Sequence, residues 1–149
     1  MTILNIITSN VYLNAAVSSW LIAQLIKVAL VFYVEKKLDW SRLMGSGGMP
    51  SSHTATVCAL TVCAARGTRY TSAVFALCFI FAAIVMHDAA GVRRAAGQQA
   101  AVLNKIMESW QTADGELFEK QLKELIGHTP LQVFFGAIIG IIVGAVFPL

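Results

Sequence analysis

Three short polar segments interrupt a mostly apolar chain of 149 residues, and each carries side chains that could bind or transfer a phosphate group. These side chains are Ser51, Ser52 and His53 in the first segment, Asp88, Arg93 and Arg94 in the second, and His128 in the third. Arginine supplies a fixed charge and a fork of donors, and serine hydroxyls and helix-start N–H groups add neutral donors. Histidine can act as a nucleophile or proton donor near neutral pH. If the segments meet, they form a phosphate site.

The composition indicates that membrane helices position these segments. Hydrophobic residues make up 57% of the chain and charged residues only 13%, whereas a soluble domain carries about 25% charged residues. The hydrophobicity excludes a disordered chain, and the few charges, with a net charge of +3, argue against a nucleic-acid partner. The first residues lack a basic n-region and the first apolar run lacks a cleavage site, so we expect no cleaved signal peptide.

The apolar runs predict a single membrane domain with four spans, over residues 12–34, 51–65, 70–86 and 131–147. The first run would rise about 35 Å as a helix, which is enough for a hydrocarbon core of about 30 Å. The second is short for a span and must be shielded by its neighbours or begin below the membrane surface.

The segment 88–127 is polar but keeps helical periodicity. Val92, Leu103 and Met107 share one side, which is typical of an amphipathic helix in the membrane interface or packed on the bundle, and Leu117 and Leu122 suggest a second short one. The expected fold is therefore an all-α integral membrane protein with about four transmembrane helices and one or two interfacial helices.

The distribution of basic residues orients these spans. The connections after the first and third spans carry eight lysines and arginines, and the opposite side carries two, Arg66 and Arg69. The positive-inside rule therefore places the three polar segments at the cytoplasmic face, which we expect to be that of a bacterial inner membrane, and both termini outside.

Small residues mark a packing face on the last span. Gly136, Gly140 and Gly144 recur at every fourth position, and such a ridge packs against another helix in the same chain or in a second copy. A homo-oligomer could form through it. The three cysteines lie in apolar runs without CxxC spacing or a nearby histidine, so they predict buried small side chains and no metal site.

Three segments, in order, resemble a divergent branch of the type 2 phosphatidic acid phosphatase superfamily, which includes vanadium haloperoxidases. They read GGMPSSHTA, HDAAGVRRAAGQQAAVLN and GHTPLQV, and the likeness covers nearly the whole chain. PSSH resembles the superfamily's PSGH motif, and GHTPLQV resembles the end of its SRxxxxxHxxxD motif. The resemblance implies a helical membrane phosphatase without metal or cofactor, in which one histidine attacks phosphorus and another protonates the leaving oxygen.

Carried over by position, the resemblance makes His128 the nucleophile and His53 the general acid, with Ser51 and Ser52 holding phosphate oxygens. Lys27 and Arg42 are assigned loosely to the superfamily's KxxxxxxRP motif, whose spacing this chain does not keep.

The chain departs from the superfamily pattern near His128. The arginine expected six residues before it is replaced by Leu122, and Arg93 or Arg94 could substitute for it. Gln132 stands where an acid should orient the nucleophile; it can accept an N–H bond but has no charge. The corresponding change in the serine-protease triad lowers turnover about 10⁴-fold. Asp88 could supply the charge if the fold brings it close.

The sequence thus predicts hydrolysis of a lipid-linked phosphate or pyrophosphate through a phosphohistidine on His128. Two alternatives stay open. The same basic residues could bind anionic lipid headgroups without catalysis, or the protein could be a structural subunit assembled through its glycine ridge.

Overall fold

A computed structural model describes residues 9–36, 48–114, 122 and 127–149. Within these residues it contains five α-helices and no strand. The helices are α1 (Val11–Glu35), α2 (Ser52–Gly67), α3 (Ala73–Ala90), α4 (Val92–Asp114) and α5 (Pro130–Val146). The all-α prediction is confirmed. Arg42 and most of the second predicted amphipathic helix, including Leu117, lie outside the described residues.

Helix α2 forms the centre of the bundle and packs against α1, α3 and α5. Half of its 16 residues are buried, and many of these are small, among them Ala55, Ala59 and Ala64. Small side chains let the neighbouring backbones approach closely, so α2 holds the other helices together although it is short. Among the described helices, α4 contacts only α3.

The glycine ridge of α5 faces α2 of the same chain. A methyl group at Gly140 would lie 2.6 Å from Cβ of Cys58, and one at Gly144 would lie 2.7 Å from the carbonyl oxygen of Ala59. A methyl group at Gly136 would likewise lie too close to the backbone carbonyl oxygen of Ser51. The ridge is therefore an internal packing face in this chain, and a homo-oligomer through these glycines stays a prediction.

Among the described residues, two helical stretches are long and apolar enough to cross a membrane: Val11–Val34, and Ala73–Glu108, which runs from α3 into α4. Helix α5 is apolar but has 17 residues, and α2 has 16. These helices are only about 24–26 Å long, against a hydrocarbon core of about 30 Å. The expectation of four full spans was therefore too high, because two of the apolar runs form helices shorter than that core.

The outer surface of the bundle is apolar. Only Ala82 and Ala89 of the 18 residues of α3 are buried, and large side chains such as Leu77 and Ile84 are exposed. Helix α4 exposes Val102 beside charged residues, as expected for an amphipathic helix. Exposed apolar surface of this extent is typical of contact with lipid.

Candidate active site

Two backbone hydrogen bonds bring the three polar segments together at one end of the bundle. The N–H of Ser51 donates to the carbonyl of Gln132 at 3.0 Å, which joins the start of α2 to the start of α5. The N–H of His128 donates to the carbonyl of Ala89 at 2.9 Å, which joins the loop before α5 to the end of α3. The predicted meeting of these segments is therefore present in the fold.

Gly127 brings the same loop against the start of α4. Its φ of +95° favours glycine, and a methyl group there would lie 2.6 Å from the carbonyl carbon of Arg93 and 2.7 Å from Cα of Arg94. Because Gly127 directly precedes His128, this close approach fixes the histidine next to the basic pair.

A cavity of about 190 Å³ lies where the segments meet. It is lined by His53, Ile84, Val85, Asp88, Ala89, Arg93 and His128. Pockets that enclose drug-sized ligands measure roughly 300–1,000 Å³, so this cavity suits a phosphate group rather than a whole lipid. The rings of His53 and His128 face each other with centroids 6.5 Å apart and planes inclined by 57°.

Gln132 determines which nitrogen of His128 carries the hydrogen. Its Oε1 lies 3.2 Å from Nδ1 of His128 and also accepts the backbone N–H of Thr129 at 3.0 Å. Because a backbone N–H can only donate, the oxygen of the amide, and not its nitrogen, must face both groups. Nδ1 of His128 therefore carries the hydrogen, and Nε2 carries the lone pair.

The other nitrogen of His128 is left available for chemistry. The residue is only 3% exposed, and Nε2 is buried and makes no hydrogen bond to any described residue. Burial lowers the pKa of His128 below its ordinary value of 6.5, and the charges of Lys27 and His53 lower it further. The hydrogen bond that the ring donates to Gln132 and the nearby Gly48 backbone act in the opposite direction. A neutral ring with an unpaired Nε2 is the form in which histidine acts as a nucleophile.

Two cations reach this site from different helices. Lys27 of α1 is only 1% exposed, its stem runs beneath Gly48, and its charge acts on both His53 and His128. Both arginines are exposed, but only Arg93 lines the cavity. The structure therefore separates the two arginines that the sequence left equivalent.

The backbone of Leu122 is hydrogen-bonded to α4, the helix that carries Arg93 and Arg94. Asn104 of α4 donates to its carbonyl and accepts its N–H, both at 2.9 Å. The position where the superfamily has an arginine is thus held against α4, and Arg93 at the start of that helix brings a guanidinium group to the cavity instead.

The serine pair begins α2. Oγ of Ser51 caps the helix by accepting the N–H of Thr54 at 3.4 Å, and it also accepts the hydroxyl of Thr54 at 3.0 Å. Only its own hydrogen remains to donate. Both Ser51 and Ser52 are buried and neither lines the cavity, but the N–H groups of Ser52 and His53 lie in the first turn, where no intrahelical acceptor exists.

Asp88 pairs with Arg93, whose Nε donates to Oδ2 at 2.5 Å. Nδ1 of His128 is bonded to Gln132 and not to Asp88. The hypothesis that Asp88 orients the nucleophile is therefore wrong in this fold. The charge of Asp88 acts on His53 instead.

Thr129 is a contributor that the sequence analysis missed. It is the N-cap of α5 and forms a capping box with Gln132, whose N–H donates to Oγ1 of Thr129 at 3.3 Å. The pattern of threonine followed three residues later by glutamine would have revealed this. Among the described residues, no cluster of three or more His, Cys, Asp and Glu could hold a metal ion.

Comparison with known proteins identifies the family to which this chain belongs. The sequence model of the divergent PAP2 family matches residues 8–143, which include every residue of the cavity. An uncharacterized membrane protein of Bacillus subtilis (strain 168), YuiD, is 43% identical over 144 residues, which cover 90% of this chain and 91% of the relative. No solved structure matches the chain. With two helices long and apolar enough to cross a membrane in the part of the chain that the structure describes, this chain is a membrane protein and belongs to the divergent PAP2 family.

Proposed function

We propose that the protein hydrolyses a phosphate ester or pyrophosphate carried by a membrane lipid, through a phosphohistidine on His128. The hydrogen bond between Nδ1 of His128 and Oε1 of Gln132 carries this proposal. It leaves the Nε2 lone pair buried and unpaired among the described residues, on a cavity that also holds His53.

The reaction divides into two displacements at phosphorus. In the first, Nε2 of His128 forms a bond to phosphorus, the bond from phosphorus to the lipid oxygen breaks, and His53 gives that oxygen a proton. In the second, water attacks phosphorus, His53 takes a proton from the water, and the P–N bond breaks. Inorganic phosphate leaves, and both histidines return to their starting protonation states.

The cations supply the electrostatic stabilisation. A phosphoryl group in the cavity lies beside Arg93 and near Lys27, and helix-start N–H groups of α2 add neutral donors. Such donors are placed before the reaction and so lower the barrier without reorganisation. Gln132 has no charge and stabilises the positive ring of the intermediate less than a carboxylate would, so we expect slow turnover.

The basic residues support a cytoplasmic position for the cavity, at the inner membrane of a bacterium. Arg93 and Arg94 lie at the cavity end of the bundle, whereas Arg66, at the other end, donates to the carbonyls of Gly144 and Phe147 at 2.8 Å. The sequence count of basic residues favours the cytoplasm for the cavity end.

A second function, binding of anionic lipid headgroups without turnover, is favoured by the capping box. Gln132 completes the cap of α5 with Thr129, and this structural role accounts for a glutamine without any catalysis. The same cations would then hold a headgroup phosphate.

The deciding experiment measures phosphate release by the purified protein in detergent from a panel of lipid phosphates and pyrophosphates. We expect release, with an acid-labile phosphoryl group trapped on the protein. Both should be lost in His128→Asn and retained in His87→Asn, which changes the histidine that does not line the cavity. Headgroup binding without release by the wild-type protein would identify the second function instead.

A further inference from the structure

His53 is the exposed member of the histidine pair, and charged side chains from three helices surround it. Arg93 of α4, Lys27 of α1 and Asp88 of α3 all act on its ring, and His128 faces it across the cavity. The positive charges of Arg93 and Lys27 oppose a proton on the ring. Asp88 is the one carboxylate on the cavity wall among the described residues.

We infer that Asp88 is a positioning residue with two roles: its charge favours a proton on the proton donor His53, and its bond to Arg93 orients that guanidinium group. The carboxylate of this site therefore assists the general acid and not the nucleophile. The inference rests on the proposed function. It assigns to Asp88 a role opposite to the one that the superfamily pattern gives its acid, which lies beside the attacking histidine.

The contacts of Asp88 explain how it can do both tasks. Its Oδ2 accepts from Nε of Arg93, which leaves the terminal NH2 groups of that side chain for phosphate oxygens. From the same wall its negative charge acts on the His53 ring in the opposite direction to the larger effects of Arg93 and Lys27. No such carboxylate is bonded to His128, whose Nδ1 partner is the neutral Gln132.

This arrangement separates the two histidines chemically. His128 is buried and bonded to a neutral acceptor, whereas His53 is exposed and shares its cavity wall with a carboxylate whose charge favours a proton on the ring. A carboxylate near one histidine and a neutral partner on the other is the difference by which we assign one as acid and one as nucleophile.

The test measures protonation of His53 directly, by the rate at which diethyl pyrocarbonate modifies it at different pH values, with the site located by peptide mass spectrometry. In Asp88→Asn the midpoint of this curve should move to lower pH by roughly 0.5 pH unit, because an amide no longer favours the protonated ring. Asp88→Glu should restore the midpoint. Arg93→Gln should move it to higher pH.

The control is Glu108→Gln, which removes an exposed carboxylate about 22 Å along α4 from Arg93 and should leave the midpoint unchanged. An unchanged midpoint in Asp88→Asn, or no restoration by Asp88→Glu, overturns the inference. If Asp88→Asn does not fold, a midpoint that fails to rise in Arg93→Gln overturns it as well. In the active protein, the alkaline limb of kcat/KM should follow the same shifts.

The modification assay needs no turnover. Absence of phosphate release together with the expected midpoint shifts would therefore overturn the proposed hydrolysis while leaving the electrostatic effect of Asp88 on His53 intact.

Discussion

Oε1 of Gln132 lies 3.2 Å from Nδ1 of His128 and occupies the position where the superfamily pattern has a carboxylate. The same oxygen accepts the N–H of Thr129 in the capping box at the start of α5. One side chain therefore caps a helix and orients the candidate nucleophile, and glutamate can serve a capping box as well as glutamine does.

Gln132→Glu should consequently keep the fold and raise turnover by roughly tenfold or more, within the limit of about 10⁴ known from the serine-protease triad. The added carboxylate should raise the pKa of His128, since an adjacent anion favours the protonated ring. The gain in rate should be larger at neutral pH than in acid, where the carboxylate is itself protonated. Phosphate release measured across pH checks this, and an unchanged or lower rate at neutral pH would favour headgroup binding.

Arg93 and Arg94 form a matched pair for testing the cavity. Arg93→Gln should weaken binding of a lipid phosphate roughly ten- to a hundred-fold, because it removes a charge-assisted contact. Arg94→Gln removes the same charge from the neighbouring exposed position, outside the cavity lining, and should change affinity little. Equal losses in the two variants would mean that only the general positive potential attracts the lipid.

The buried neutral ring of His128 should make stability depend on pH. Because burial lowers its pKa in the folded protein below the ordinary 6.5, the unfolded chain binds the proton more readily between the two values. The free energy of unfolding should therefore fall as the pH drops through that window, by about 1.4 kcal/mol for each pH unit that separates the two pKa values. Thermal melts in detergent would show this slope, which His128→Asn should flatten.

The glycine ridge should be sensitive to a single methyl group. Gly140→Ala places Cβ 2.6 Å from Cβ of Cys58, so we expect a loss of about 1–3 kcal/mol in unfolding free energy without a change in oligomeric state. Ala145→Val enlarges an exposed residue of the same helix and should be nearly neutral. Dissociation of an oligomer in Gly140→Ala, with the stability of the subunit unchanged, would contradict the internal role of the ridge.

The proposed orientation can be tested by labelling single cysteines in a background that lacks Cys58, Cys63 and Cys78. Asp114→Cys should react with an impermeant reagent from the cytoplasmic side, and Thr71→Cys from the outer side. The reverse pattern would place the cavity on the outer face and change the pool of lipids that can reach it.

The local sequence was sufficient to predict features that depend on neighbouring residues alone. Apolar runs predicted the helices, because a helix satisfies its own backbone. The four-residue spacing of Gly136, Gly140 and Gly144 predicted a packing face, because residues four apart lie on the same side of a helix. This prediction also needs only neighbouring residues. His53 and His128 were expected on one boundary because alternating helices return the chain to the same end.

Only the tertiary structure decided which of these groups meet. Whether the glycine ridge faces α2 or another copy, whether Arg93 or Arg94 reaches the cavity, and whether Asp88 serves His128 or His53 all depend on how each helix is rotated about its axis. That rotation is set by contacts between residues far apart in the sequence, such as the bond from His128 N–H to Ala89, and adjacent residues on a helix point about 100° apart. A rotation of that size exchanges Arg93 for Arg94 at the cavity, and nothing in the local sequence around them specifies it.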